Sequence, residues 1–167
     1  MERLVLSLLV ENNPGVTSRI SGLFSRRGFN IDSFSSGVTA DPAYERITIV
    51  ASGDEQVLEQ IEKQLGKLED VKDIKILRHG SSVTRELMLV KIRASKEQRQ
   101  DVKAVTEIFE GDIVDTTVDS LIIEMKGNQA KLDNFLELIS SDGYEILELA
   151  RTGIAGLCRG SEGVVYL

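Results

Sequence analysis

Residues 4–20 read LVLSLLVENNPGVTSRI, and the fold is decided by how that stretch divides. Leu4 to Val10 is apolar except for Ser7, the pattern of a strand buried on both faces. Val16 and Ile20, continued by Leu23 and Phe24, recur at helical spacing, and Gly28 supplies the residue that closes a helix. Between strand and helix stand Glu11, Asn12, Asn13, Pro14 and Gly15. Two amides, a proline and a glycine make a good turn. They also make a place where a small charged molecule can lie against a helix N-terminus. At the level of residues both readings stay open.

Outward from there the pattern repeats its logic. Phe29 to Val38 and Arg46 to Ala51 read as strands joined by the turn-rich Thr39-Ala40-Asp41-Pro42. Gly53-Asp54 opens a second helix with Val57, Leu58, Ile61, Leu65 and Leu68 on one face, and Val71 to Leu77 is a last strand. The order β-α-β-β-α-β predicts a ferredoxin-like unit, an antiparallel sheet with both helices on one side.

His79-Gly80-Ser81-Ser82 is polar and flexible in composition and predicts a boundary, giving a first domain at 1–78, a linker at 79–84 and a second domain at 85–167. The second half runs through the same order. Leu87 to Ile92 reads as a strand, and Val102, Val105, Ile108 and Phe109 mark a helix. Asp112 to Thr117 and Ser120 to Lys126 are strands, Gly127-Asn128 opens a helix, and Tyr144 to Ala150 closes the round. Leu58, Ile61 and Leu65 correspond to Leu132, Phe135 and Ile139 at a constant offset, which supports two α+β units of one topology. The second unit has Ala94-Ser95-Lys96-Glu97 where the first has its amide-rich loop. From Arg151 onward the chain is too rich in glycine to predict a regular element.

Composition excludes several classes. Hydrophobic content of 41% with 28% charge is that of a folded globular chain. A formal charge of −7 argues against binding nucleic acid or anionic membrane, which needs basic patches. No apolar run approaches a membrane span, and the first residues lack the layout of a signal peptide. The single cysteine rules out an intrachain disulfide and fits a cytoplasmic setting.

A catalytic constellation is equally hard to assemble. His79 sits in the expected linker, where solvation is its ordinary state, and Cys158 has no histidine to activate it. Zinc spacing and phosphate-binding glycine loops are missing, and acidic residues such as Glu59 sit beside lysines such as Lys63 on a helix surface. No catalytic residue and no metal site is therefore expected. The loop offers different chemistry. First-turn N–H groups and the positive helix end suit a carboxylate. Gly15 permits close approach, Pro14 stiffens the loop, and Asn12 both donates and accepts. Those features suit a free amino acid.

The stretches SLLVENNPGVTSRISGLFSRRGFNIDSFSSG (7–37) and DPAYERITIVASGDEQVLEQIEKQLGKLEDV (41–71) resemble the ACT domain of the regulatory, small subunit of acetohydroxyacid synthase, also called acetolactate synthase. The likeness continues in RELMLVKIRA (85–94), TEIFEGDIVDTTVDSLIIEMKG (106–127) and ELARTGIAGLCRG (148–160), so it covers nearly the whole chain. The spacing of ENNPG to RRGFNI is more specific than a generic ACT loop. The resemblance implies a non-catalytic chain whose partner, a large catalytic subunit, holds thiamine diphosphate, magnesium and flavin adenine dinucleotide. It implies feedback by valine or a related branched-chain amino acid, and a homodimer through ACT domains with the effector between two chains. Asn12, Asn13, Pro14, Gly15 and Val16 of one chain would face Asn30 and Ile31 of another, with Leu23 and Val16 as apolar neighbours. An ACT-type amino-acid sensor acting on another enzyme or on transcription is the alternative. The missing basic helix-turn-helix segment weighs against transcription.

Overall fold

The computed structural model describes residues 2–161, which form two compact units: residues 2–84 with 154–161, and residues 85–153. In the first unit β1 (Glu2–Glu11) lies in the middle of a four-stranded antiparallel sheet of order β2-β3-β1-β4, made with β2 (Asn30–Val38), β3 (Tyr44–Gly53) and β4 (Val71–Ile76). Helices α1 (Val16–Arg27) and α2 (Glu55–Leu65) cover one face. Alternate residues of β1, Leu6, Leu8 and Val10, join Ile47, Ile49 and Ala51 of β3 in the core under Ile20, Phe24, Ile61 and Leu65. Leu9, on the other face of β1, is fully buried as well. That double burial is why the run is apolar without alternation.

The starts of these helices match their sequences, but α2 stops at Leu65, so Leu68, expected on its apolar face, lies beyond it. Asp54 caps α2 by accepting from the Val57 N–H at 2.9 Å. Gly28 takes a left-handed φ of 67° after α1, and the Phe29 N–H returns to the Phe24 carbonyl at 3.0 Å. Phe29 then packs edge-on against Phe24 with ring centroids 6.2 Å apart.

The second unit has the same layout. Strand β5 (Ser82–Arg93) is central in the order β6-β7-β5-β8, with β6 (Asp112–Thr116), β7 (Ser120–Gly127) and β8 (Ile146–Arg151). Helices α3 (Arg99–Ile108) and α4 (Gln129–Ser141) pack on its core of Met88, Val90, Ile92, Ile123 and Met125. Leu132, Phe135 and Ile139 are buried as Leu58, Ile61 and Leu65 are, so the constant offset marks equivalent core positions. Gly111 precedes β6 because a Cβ there would lie 2.2 Å from the Met125 sulfur.

Two expectations need correction. Ile108 is 77% exposed, because Thr106, one turn after Val102, is the residue that turns into the core. The glycine-rich segment after Arg151 does form a strand, β9 (Ala155–Cys158), which pairs with β5. Its Gly156 runs so close to the chain that a Cβ would lie 2.7 Å from Leu77 Cδ1 and 2.8 Å from Thr84 Cγ2. Glycine here permits a strand rather than preventing one. Ile154, just before β9, is buried, and its N–H donates to Ser33 Oγ at 3.2 Å. Residues 154–161 thus group with the first unit. The part of the tail beyond 161 lies outside the described residues.

One buried charge holds the second unit in register. Glu86 is 6% exposed and accepts from Arg151 Nε and Nη2 at 3.0 and 2.7 Å, while Arg151 Nη1 reaches Asp133 on α4 at 2.8 Å. Replacing Arg151 by Met strands a buried carboxylate and should cost on the order of 3 kcal/mol, whereas Glu86→Gln with Arg151→Met together should cost clearly less than the sum of the single changes. Urea unfolding, with hydrogen exchange at β5 and β8 amides as the probe, checks this; strictly additive losses would mean the pair is not coupled.

Candidate functional site

The loop after β1 is tied down at several points. The Glu11 N–H donates to the Asp70 carbonyl at 2.9 Å. Asn12 is fixed to the β2–β3 turn twice, its N–H on Ala43 O at 2.8 Å and its Nδ2 on Pro42 O at 2.9 Å. Asn13 Nδ2 donates to Glu11 Oε2 at 2.8 Å, and the other oxygen of Glu11 meets Lys72 Nζ at 2.6 Å. Asn12, Asn13, Pro14 and Gly15 are all exposed. The loop is therefore held in shape while its outer surface stays free.

Gly15 sits in the left-handed region at φ 88° and hands over directly to α1, its carbonyl accepting the Arg19 N–H at 2.9 Å. No side chain caps α1, in contrast to Asp54 on α2 and Asn128 on α4. The N–H groups of Thr17 and Ser18 have no intrahelical acceptor and stand at the positive end of the helix. Helix α3 also lacks a side-chain cap, but it starts from Gln98 in ordinary helical geometry, with no glycine turn before it.

Sequence reasoning missed the neighbour of this turn. Arg19, one helical turn after Gly15, lies over it: a Cβ on Gly15 would be 3.1 Å from Arg19 Nη1. The guanidinium is held by Asp70 in a two-pronged pair, Nε to Oδ2 at 2.7 Å and Nη2 to Oδ1 at 2.9 Å. Those hydrogen bonds hold the Asp70 carboxyl below the usual carboxylate range and raise Arg19 further. The i, i+4 spacing from Gly15 could have pointed to Arg19. Nothing local points to Asp70.

The other expected residues lie elsewhere. Asn30 begins β2, is exposed, and donates through Nδ2 to Asp32 Oδ1 at 2.6 Å; Asp32 also accepts from Ser52. Ile31 is half-buried against the core. Val16 and Leu23 are buried within it, so their side chains are already packed. Strands β1 and β2 both run antiparallel to β3, so β1 ends at one end of the sheet and β2 begins at the other. The twelve residues of α1 span that distance, roughly 18 Å at 1.5 Å per residue. Asn12 to Val16 are together; Asn30 and Ile31 are a helix length away in the same chain.

Among the described residues no group of three or more His, Cys, Asp or Glu is placed to hold a metal ion, and no helix is long and apolar enough to cross a membrane. His79 is exposed, and Glu59 pairs with Lys63 at 3.2 Å on the surface of α2.

The Arg19–Asp70 pair makes a pH prediction. Because the folded-state pKa of Asp70 is lowered, its contribution to stability is full above about pH 5 and is lost as the pH falls through the ordinary carboxylate value near 3.9 towards the lowered one. The difference in thermal midpoint between the wild type and Asp70→Asn should be constant from pH 7 to about 5 and shrink below about 4. A difference that grew on acidification would refute the pairing.

Two family models match the chain: one for the small subunit of acetolactate synthase over residues 85–160, and one for the ACT domain of acetohydroxyacid synthase small subunits over residues 6–73. The acetolactate synthase isozyme 3 small subunit of Escherichia coli is 50% identical over 160 residues, covering 96% of this chain and 98% of that one. A probable acetolactate synthase small subunit of Methanothermobacter thermautotrophicus is 48% identical over 158 residues, covering 94% and 93%. The crystal structure of the acetolactate synthase small subunit from Thermotoga maritima superposes with a TM-score of 0.84 at 36% identity, covering 96% of this chain and 99% of that one. With both units matched and nearly every residue covered, the chain belongs to the family of acetolactate synthase small subunits.

Proposed function

We propose that this chain is the non-catalytic regulatory subunit of an acetolactate synthase, acting in branched-chain amino acid biosynthesis. It raises the activity of a large catalytic subunit and makes that activity sensitive to valine or another branched-chain amino acid. The carrying observation is the match to small subunits over both units. Thiamine diphosphate, magnesium and flavin adenine dinucleotide then belong to the large subunit, and the complex works in the cytoplasm.

The effector site is a shared one, built by two copies of the chain. Strand β2 is an edge of its sheet, with Val38 at its end 60% exposed. If two β2 strands pair about a two-fold axis, they run antiparallel, so Asn30 of one copy lies beside Val38 of the other. Val38 is at the sheet end where β1 gives way to Asn12, since Val38 and Glu11 flank the start of β3. The two half-sites that one chain keeps a helix length apart are joined in the pair, and this supports the shared site.

In that arrangement the effector carboxylate meets the first-turn N–H groups of α1, over Gly15 and beside Pro14. The ammonium meets the carbonyl oxygen of Asn12, whose nitrogen is already used on Pro42. Asn13 shapes the loop through Glu11. Val16 shapes the turn, its N–H donating to the Asn13 carbonyl at 3.3 Å and its side chain being buried. Asn30 and Ile31 of the second copy supply an amide and an apolar contact.

The test is reconstitution. The chain alone should catalyse no pyruvate condensation; added to its large subunit it should raise the rate and confer inhibition by valine. Failure to change the rate of any acetolactate synthase large subunit would overturn the reading. Gly15→Asp puts a carboxylate where the effector carboxylate is expected and within reach of Arg19. Loss of a charge-assisted hydrogen bond, worth about 1.5–3 kcal/mol, weakens valine roughly tenfold to hundredfold. Asn30→Ala should weaken it less, because it adds no repulsion. Both complexes should remain active. Undiminished inhibition by a folded Gly15→Asp complex would reduce the loop to a turn.

A further inference from the structure

Strand β3 alternates, so that Ile47, Ile49 and Ala51 enter the core while Arg46, Thr48 and Val50 lie on the face turned away from the helices. Arg46 is half-buried there. Its Nη1 donates to Ser7 Oγ at 3.0 Å, and no carboxylate lies within ion-pair distance among the described residues. That sets it apart from Arg19, Arg93 and Arg151, each held by an acid. The nearest acid along its row of the sheet is Asp73, across Leu9, and Asp73 faces Lys75 at 3.8 Å. Half-burying a guanidinium without a counter-charge costs free energy unless something supplies one.

The surroundings are those of a receptacle. Gly37 lies directly opposite Arg46 on β2, and a Cβ there would meet nothing within 4 Å, so space is open over β2 next to Arg46. Ser35 lies opposite Thr48, giving hydroxyl groups on neighbouring strands. Strand β9 borders the other side through Gly156 and Leu157, enclosing a groove of about 330 Å³. Leu157 is 61% exposed and gives that groove an apolar rim.

We propose that this groove is a second ligand site, for a small monocarboxylate with a short apolar tail. The Arg46 fork takes the carboxylate, since a guanidinium offers parallel N–H donors to two oxygens. Ser35 and Thr48 complete its hydrogen bonds, and Leu157 covers the tail. A single cation matches a single negative charge, and the volume is at the small end for ligand pockets. The groove lies on the face of the sheet turned away from the helices, whereas the Gly15 loop leads into the helix layer, so the two sites are separate. Residues 154–161 belong to the first unit partly by bordering this face, and a ligand here ties β9 to β2 and β3.

The test is an NMR titration of the isotope-labelled full chain with butyrate, with butyramide of the same shape, and with inorganic phosphate, all at fixed ionic strength. Butyrate should shift amides of residues 35–38, 46–48 and 155–157 and saturate in the millimolar range, as befits about six heavy atoms. Arg46→Gln should weaken this at least about tenfold. Thr48→Val, nearly isosteric, should weaken it by a smaller factor, and it carries the test if Arg46→Gln fails to fold. Gly15→Asp should leave butyrate binding unchanged. The proposal falls if butyrate gives no saturable shifts, if butyramide does equally well, if phosphate binds more tightly, or if folded Arg46→Gln binds as the wild type does.

Discussion

Burial of β1 on both of its faces is the constraint from which the first unit follows. Leu6, Leu8 and Val10 are covered by helices, and Leu9 on the opposite face is as completely buried. A strand with both faces covered lies within the layers of the unit, and β3 and β4 flank it in the sheet. The run then has to become polar where it leaves the sheet, and it does so at Glu11, Asn12 and Asn13. Because the next element must cover the same sheet, α1 returns along it. Its first turn stays at the loop end while Asn30 is carried to the far end. The distance between the two halves of the proposed site is thus a consequence of strand burial, and a single chain cannot close it.

The second unit shows what the fold does without that loop. It repeats the strand order and the buried positions of the helix that follows the third strand. Yet its first helix follows Ser95 to Gln98, with Gln98 Oε1 accepting the Ser95 N–H at 2.9 Å. That bond closes the turn ahead of α3, which enters from Gln98 in ordinary helical geometry. In the first unit Gly15 turns the backbone without offering a cap, so donors are left at the surface. One topology gives two ends of different chemistry, and the difference rests on five residues.

Much of this was legible in the sequence because it depends on periodicity or local turn chemistry. Burial at Leu58, Ile61 and Leu65 and at their equivalents in the second half follows from helical spacing, and Asp54 and Asn128 are caps by residue type and place. Ile108 is apolar but lies off the buried arc of α3, while Thr106 satisfies its hydroxyl on the Val102 carbonyl and is buried, which residue type alone does not reveal. Strand β9 was not legible because glycine argues against strands in general, and its value lies in the close approach that only Leu77 and Thr84 reveal. Of the loop residues, Asn12 and Gly15 could be read as site chemistry. The Arg19–Asp70 pair could not, since its partners are 51 residues apart and meet only in the fold.

That two chains make one effector site can be tested by complementation. A copy carrying Gly15→Asp keeps a sound Asn30, and a copy carrying Asn30→Ala keeps a sound loop. Each alone should bind valine poorly. Unfolded together and refolded, half of the dimers should be mixed, each with one intact site and one doubly defective site, so roughly a quarter of all sites should regain wild-type affinity in a calorimetric titration. A mixture that binds no better than the average of its two parents would show that the site lies within one chain.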